Sequence, residues 1–157
     1  MNGILRGLRV IEGSAFIAAP SAGMTLAQMG AEVIRFDPLG GGLDYRRWPV
    51  TGTGESLYWA GLNKGKKSFA VDIRNPRGRE LLTQLICAPT DKSENNGFFL
   101  TNFPTSGWMS YDNLKAQRDD LIMLNIKGNR DGTSEVDYTV NPATGFPNLT
   151  GPAGADA

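Results

Sequence analysis

Five short segments of the chain carry the hydrophobic patterns of β-strands. Apolar and polar residues alternate in Leu8–Glu12, and apolar or β-branched residues dominate Ala31–Asp37, Lys67–Ile73 and Leu121–Ile126. Phe98–Phe103 is an almost continuous apolar run, which predicts a strand buried on both faces.

Helical patterns occupy three of the intervals between these strands. The predicted helices are Ser21–Met29, Gly78–Cys87 and Tyr111–Arg118. Pro20 and Pro76 stand in first turns, where a missing N–H is tolerated. Strands that alternate with helices predict an α/β fold, a Rossmann-like open parallel sheet with helices on both faces. Ligands of such sheets bind at the carboxyl ends of the strands.

Two regions lack a regular pattern. Residues 39–66 hold glycine, proline and aromatic side chains, and only Ser56–Leu62 suggests a helical turn or two. Loops of this length in compact domains are often functional. The chain ends in a Gly/Pro/Ala-rich stretch with no closing element, so we expect an incomplete domain.

Composition narrows the classes of partner. The 157 residues suit one core, and 16 Lys plus Arg balance 16 Asp plus Glu. This balance disfavours nucleic-acid and anionic-membrane partners, and no apolar run is long enough to span a membrane. The single Cys87 suits a reducing compartment, so we expect a cytoplasmic protein.

The sequence contains no histidine. Its absence excludes His-based zinc sites, Ser-His and Cys-His nucleophile pairs and an imidazole base, and we expect no metal site. Cys87 has no basic neighbour that would lower its thiol pKa, so it is interpreted as core filler. Chemistry within these residues would need carboxylates, lysine, tyrosine or backbone groups.

The turn after the first strand lacks the glycine pattern of dinucleotide-binding proteins. Gly13–Pro20 contains one glycine, whereas the fingerprint needs three. Asp37 stands where a ribose-binding acid would, although an Asp before proline more often forms a turn. We therefore do not expect NAD binding, and no phosphate-binding P-loop is present.

Several other groups are candidates for contacting an anionic ligand. Gly40–Gly42, followed by Arg46 and Arg47, could hold a phosphate or could be a flexible loop, and the two interpretations stand equal. For the lysines of Lys64–Lys67 a solvated role is favoured. Asn102 ends the most buried strand, where side chains face the crevice of such a fold, although an Asn at this position could instead serve only to satisfy local backbone groups.

A set of motifs in fixed order resembles the N-terminal part of the family III CoA-transferases, the family of formyl-CoA transferase, carnitine CoA-transferase and α-methylacyl-CoA racemase. The motifs are Gly7–Glu12, Ala19–Pro20, Leu26–Asp37, Asn63–Ser68, Asp72–Gly78, Thr101–Phe103, Tyr111–Gly128 and Thr150–Pro152. The resemblance covers nearly the whole chain and is loosest over residues 40–62.

The resemblance implies a large Rossmann-like domain in a subunit that interlocks with its twin as linked rings, an interlocked homodimer. It also implies a CoA thioester, as substrate and not as cofactor, across the carboxyl ends of the strands. By position, the CoA contacts of the family fall on Ile17, Ala18, Val71, Asp72, Ile73, Arg74, Asn102, Phe103 and Asp137.

Two basic positions of the family are not matched. Pro38 stands where formyl-CoA transferase has a basic residue, and Pro104–Trp108 lacks the arginine that the family often carries after Asn-Phe. Arg46, Arg47 or Lys66 are the candidates to replace the lost phosphate-binding charge.

The resemblance also implies the catalytic group. The family nucleophile is an Asp carboxylate that forms mixed-anhydride and aspartyl-CoA intermediates. It follows the Thr150-Gly151 motif at a distance that lies beyond Ala157, and Asp156 is interpreted as a solvated carboxylate. We therefore expect an N-terminal fragment without nucleophile, small domain or C-terminal segment, and inactive alone.

Branches of the family differ in chemistry. A racemase is disfavoured, because Val136 stands where racemases have their histidine. Gly41–Pro49 and Glu135–Asn141 resemble the branch that moves CoA between C1 and C4 of a C4 dicarboxylic acid, as mesaconyl-CoA. The alternatives are a non-catalytic CoA- or nucleotide-binding module and, least favoured, an NAD-linked oxidoreductase.

Overall fold

A computed structural model describes residues 3–89, 97–133, 135–152 and 154 of the chain. These residues form two compact units, one ending at Ile126 and one beginning at Lys127. Asp156 lies outside the described residues.

The first unit is built on a parallel sheet of five strands. The strands are β1 (Arg9–Gly13), β2 (Glu32–Asp37), β3 (Lys67–Ala70), β4 (Gly97–Thr101) and β5 (Ile122–Asn125).

They lie in the order β3-β2-β1-β4-β5, and every neighbouring pair is parallel. Val10 of the central strand pairs with Val33 on one side and with Phe98 on the other. The chain leaves β1 toward one edge and returns at β4 toward the other, which is the topological switch point of an open α/β sheet. The predicted open parallel sheet is confirmed.

Four α-helices belong to this unit: α1 (Ala18–Gln28), α2 (Leu57–Leu62), α3 (Pro76–Cys87) and α4 (Tyr111–Lys115). Polar caps explain where three of them begin. The side chains of Ser56, Asn75 and Ser110 accept hydrogen bonds from backbone N–H groups in the first turns of α2, α3 and α4. The predicted start of the helix at Tyr111 is therefore confirmed.

Two predicted elements end three residues early in the structure, and most other boundaries shift by one or two residues. The helix α1 begins at Ala18, ahead of the stretch Ser21–Met29, and Pro20 lies as predicted in a first turn whose N–H groups need no helical partner. The strand β3 stops at Ala70, because the Asp72 carboxylate accepts from the backbone N–H of Arg74 and turns the chain. The helix α4 ends at Lys115, before the predicted end.

Helices cover both faces of the sheet. The face under α3 and α4 packs an apolar cluster of Ile11, Phe36, Val71, Leu82, Ile86, Phe99, Met109, Leu114 and Leu121. The face under α1 packs a second cluster of Val10, Ala19, Ala31, Val33 and Leu100. The side chains of Phe99 and Leu100 pack on opposite faces of the sheet, so β4 is buried on both sides as predicted.

The second unit contains a helix that the sequence pattern did not indicate. The helix α5 spans Asp137–Ala143, and a 3₁₀ turn covers Phe146–Leu149. Pro142 lies inside α5, and none of the residues of α5 is buried. Neither helix propensity nor an apolar stripe in the sequence therefore predicted this helix. Within the described residues of both units, no helix has the length and apolarity needed to cross a membrane.

Candidate functional site

The loop between β1 and α1 lies at the carboxyl end of the central strand, and side chains from elsewhere hold its backbone. Arg35 donates to the carbonyl oxygen of Ser14 at 2.9 Å. Asn102 binds Ala15 twice, accepting from its N–H at 2.9 Å and donating to its carbonyl at 2.7 Å. Arg35 of β2 and Asn102, which follows β4, thus fix the consecutive loop residues Ser14 and Ala15 from the two sides of β1.

The next residue, Phe16, has a backbone conformation that favours glycine. Its φ is 62°, in the left-handed region, where a bulky residue costs about 1–3 kcal/mol unless its surroundings hold it. The backbone N–H of Phe16 donates to the carboxylate of Asp44 at 2.6 Å. The guanidinium of Arg47 lies over both the Phe16 ring, at 5.4 Å, and the Tyr58 ring, at 4.7 Å.

A buried ion-pair cluster of Glu12, Arg35, Asp37 and Lys66 lies beneath this loop, on the α1 face of the sheet. Arg35 binds both carboxylate oxygens of Asp37, at 2.9 and 3.0 Å. It also donates to the Ser14 hydroxyl at 3.1 Å. Two acids and two bases make the cluster neutral, which reduces the cost of burying it.

Glu12 and Lys66 form the most deeply buried pair of the cluster. The Lys66 ammonium lies 2.8 Å from each carboxylate oxygen of Glu12, and the Lys66 and Glu12 side chains are 2% and 0% exposed. The ammonium also donates to the carbonyl of Pro20 and to the amide oxygen of Asn63. Residues from β1, α1 and the loop before β3 therefore meet at one buried charge.

Burial dominates the ionisation of this pair. It raises the pKa of Glu12 above its ordinary value of 4.5, although the Lys66 charge opposes the shift. Burial also lowers the pKa of Lys66 below 10.5, against the attraction of Glu12. Both shifts favour the neutral forms, as expected where the loss of hydration outweighs the attraction between two buried charges.

A glycine in α1 makes room for the Glu12 carboxylate. A Cβ on Gly23 would lie 1.7 Å from the Glu12 Oε2 atom and 3.3 Å from the Lys66 ammonium. The close approach of α1 to β1 therefore requires glycine at this position.

The predicted CoA contacts of the first unit all lie at the carboxyl end of the sheet. Ile17 and Ala18 are exposed at the start of α1. After β3, Val71 is buried, Asp72 and Ile73 are half-buried, and the Arg74 side chain is 91% exposed. Since β3 and β4 are three strand spacings apart, the predicted contacts extend over about 14 Å.

The predicted contacts after β4 have structural partners. Both polar atoms of the Asn102 amide are bonded to Ala15, so this side chain shapes the neighbouring loop. The Phe103 ring packs edge-on against Phe36 at 6.2 Å, and its backbone N–H donates to the Thr101 hydroxyl. Asp137 is exposed at the first turn of α5, in the second unit.

Two residues that were candidates for contacting a ligand have other partners. Lys66 does not replace the missing phosphate-binding charge, because its ammonium is buried against Glu12. Asp37 is neither a turn former in solvent nor open to a ribose, because it is buried in a bidentate pair with Arg35. Gly42 packs against the Asp37 carboxylate, which disfavours a phosphate at that glycine.

Sequence reasoning missed the residues that organise this site. They are Glu12, Arg35, Asp44 and Asn63, all buried. One available signal was the placement of Glu12 at the end of one predicted strand and of Arg35 near the end of another, where side chains reach the crevice of a parallel sheet.

The sequence profile described as CoA-transferase family III matches residues 5–157. The chain belongs to CoA-transferase family III.

Relatives of known activity support the same family. The chain is 71% identical over 153 residues to 2-methylfumaryl-CoA isomerase of Chloroflexus aurantiacus, a match that covers 97% of this chain and 37% of that enzyme. It is 34% identical over 125 residues to succinyl-CoA–D-citramalate CoA-transferase of the same organism, covering 79% of this chain and 30% of the relative. The family III chain therefore spans little more than a third of the first relative's length.

A solved structure supports the fold. A CAIB/BAIF family protein from Brucella suis superposes with a TM-score of 0.84 at 27% identity, over 99% of this chain and 43% of that one. The family III fold of the described residues thus has an experimental counterpart.

Proposed function

We propose that these residues form the CoA-binding part of an enzyme that moves CoA between the C1 and C4 carboxyl groups of one 2-methylfumarate molecule. The supporting observation is the 71% identity to 2-methylfumaryl-CoA isomerase over 97% of the chain. Mesaconate is another name for 2-methylfumarate, so the segments Gly41–Pro49 and Glu135–Asn141 support the same substrate.

The proposed chemistry is four acyl transfers with no change of oxidation state. An aspartate carboxylate attacks the thioester carbonyl and the C–S bond breaks. The CoA thiolate departs, and the aspartate and the acyl group are now joined in a mixed anhydride. The thiolate attacks the aspartyl carbonyl and frees the first substrate carboxylate. The second substrate carboxylate then attacks the aspartyl-CoA thioester and displaces the thiolate. Attack of that thiolate on the acyl carbonyl gives the isomeric thioester and restores the aspartate.

The described residues would bind and orient the thioester. An elongated ligand suits contacts that extend over about 14 Å of the sheet edge. Exposed Ile17 and Ala18 at the start of α1, together with Phe103, offer apolar surface there, and exposed Arg74 offers a positive charge. The nucleophilic aspartate is proposed to lie outside the 157 residues, and the active protein to be an interlocked homodimer in the cytoplasm.

The substrate is tested on the complete gene product. Incubation with 2-methylfumaryl-CoA should give the isomeric thioester, resolved by liquid chromatography, and ¹⁸O in the free carboxylate should be retained in the product apart from oxygen left on the aspartate. Free [¹⁴C]succinate should not enter the thioester pool, because the transfer is intramolecular. Efficient labelling from succinate would instead identify an intermolecular CoA-transferase.

The binding role is tested on the 157-residue chain. Calorimetric titration with coenzyme A should give saturable binding, while the same chain should not turn over 2-methylfumaryl-CoA. The alternative candidate is a CoA-binding module without catalysis. Binding without turnover by every product of the gene would support that candidate.

A further inference from the structure

Near the start of α1, each of the residues Phe16, Asp44 and Arg47 contacts the other two. The backbone N–H of Phe16 donates to Asp44 at 2.6 Å, and Arg47 donates to the other carboxylate oxygen of Asp44 at 3.2 Å. The Arg47 guanidinium then lies over the Phe16 ring at 5.4 Å. We refer to Asp44 and Arg47 as the clamp.

The carboxylate half of the clamp is buried, whereas the Arg47 side chain is 41% exposed and is held by its contacts. Asp44 is 3% exposed, and a buried carboxylate requires partners for its oxygens. On the far side of Arg47, the Tyr58 ring lies 4.7 Å from the guanidinium, so two aromatic rings confine it. The segment that sequence patterns left without regular structure thus delivers a charged pair to the first loop of the sheet.

The clamp acts on the one non-glycine residue with positive φ among the described residues. Phe16 has a φ of 62°, and the residue after it, Ile17, begins the turn into α1. A glycine at position 16 would adopt this conformation without strain, whereas phenylalanine needs contacts that hold it there. Asp44 supplies the hydrogen bond and Arg47 supplies the contact with the ring.

We propose that Asp44 and Arg47 are positioning residues for the CoA thioester, which hold Phe16 in its left-handed conformation and so set the backbone of Ile17 and Ala18. This inference rests on the proposed function, because Ile17 and Ala18 are predicted CoA contacts. In this proposal Arg47 contacts Phe16 and Asp44 and does not bind a phosphate of the ligand.

The test is a double-mutant cycle on coenzyme A affinity, measured calorimetrically with the 157-residue chain. The D44A variant should bind about tenfold more weakly than wild type, a change of about 1.4 kcal/mol. In the F16G background, D44A should weaken binding less than about threefold, because glycine does not need the clamp. D119N, a change of an exposed aspartate, is the control and should bind as wild type does.

An R47K variant separates positioning from phosphate binding. Lysine keeps the charge but loses the planar group that stacks on the rings. Positioning predicts equal weakening for coenzyme A and for 3′-dephospho-coenzyme A. Weakening that is confined to coenzyme A would make Arg47 a ligand of the 3′-phosphate and overturn its assignment.

A measurement without ligand keeps the two proposals apart. Amide hydrogen exchange at Ser21, whose N–H donates to the Ile17 carbonyl oxygen at 2.8 Å, should be faster in D44A than in wild type, with exchange at Val10 unchanged and both proteins folded by circular dichroism. Failure of the wild-type chain to bind coenzyme A would contradict the proposed binding role, and exchange would then decide the clamp. Unchanged exchange, or equal effects of D44A in the wild-type and F16G backgrounds, would overturn the clamp.

Discussion

The two faces of the sheet are built from alternate residues of the same strands, yet they bury different chemistry. Under α3 and α4, Ile11 and Phe36 belong to the larger apolar cluster. On the α1 face, the adjacent residues Glu12 and Arg35 are 0% and 3% exposed, as deeply buried as the apolar residues. The faces therefore differ in the partners of their side chains and not in their burial.

This difference has a mechanical meaning. Apolar contacts are non-directional, whereas buried ions need hydrogen bonds at defined angles and distances. The carboxyl half of the α1 face is accordingly fixed in one arrangement, directly beneath the loop whose Ile17 and Ala18 are predicted to contact CoA. Specific geometry is placed where the proposed ligand binds, and the rest of the core is ordinary packing.

The largest expected effect comes from removing one charge of the buried pair on the α1 face. A Lys66→Met variant leaves Glu12 buried without its main partner and should lose about 3–5 kcal/mol of unfolding free energy, measured by urea denaturation at pH 7. The double variant that adds Glu12→Gln should recover most of this loss, because no uncompensated charge remains. A Lys66→Met loss below about 1 kcal/mol would show that the pair is not desolvated as described.

The next effect measures the apolar face. Leu82, which is 0% exposed, should cost about 2–5 kcal/mol when replaced by alanine, because the variant creates a cavity. Its neighbour Leu81 is 51% exposed, and Leu81→Ala should cost less than about 1 kcal/mol. Both values come from urea denaturation, and raising the salt concentration should alter neither. Equal losses at the two positions would contradict the described packing of α3.

A third effect tests how closely α1 approaches the charged face. Gly23→Ala should destabilise the chain by about 1–3 kcal/mol, because the added Cβ meets the Glu12 carboxylate. Gly61→Ala is the matched control, a helical glycine with open space around it, and alanine there should stabilise by up to about 1 kcal/mol. Thermal unfolding by circular dichroism compares the two, and stabilisation by both would mean that α1 lies farther from β1.

The smallest effect belongs to an ion pair near the surface. Hydrogen bonds from Lys67 and Arg9 lower the pKa of Glu32 below 4.5, and its side chain is 34% exposed. The stability difference between wild type and Glu32→Gln should be present above pH 4.5 and should disappear as pH falls through the lowered pKa of Glu32. Exposure and salt should keep it below about 1 kcal/mol. A difference that grows in acid would reverse the assigned shift.

The same comparison shows how much of the fold was predictable. Strand alternation and helix patterns were enough for five parallel strands and for the packing of β4 on both faces, because those features follow from local periodicity. Alternation assigned Leu8–Glu12 to a strand but did not show where its polar side chains lie. Glu12 is fully buried, and its partner Lys66 lies far away in the sequence, where no local pattern indicates the contact.

Predictions about the site divide in a similar way. The carboxyl-end position of Asn102 followed from the strand pattern and is confirmed, since this residue directly follows β4. That its amide would hold Ala15 could not be predicted, because the contact depends on the adjacency of β1 and β4. The same reason applies to Asp44, which reaches Phe16 from a segment without periodicity.

The position of β1 in the sheet constrains how the protein is made. Of the five described strands, the central one is made first, and β2 can pair with it early. Its other edge remains open until residues 97–101 have been translated, and the loop that Asn102 holds is complete only then. A nascent chain that stalls before β4 would thus expose unpaired backbone N–H and C=O groups beside apolar side chains, a surface suited to capture by a chaperone.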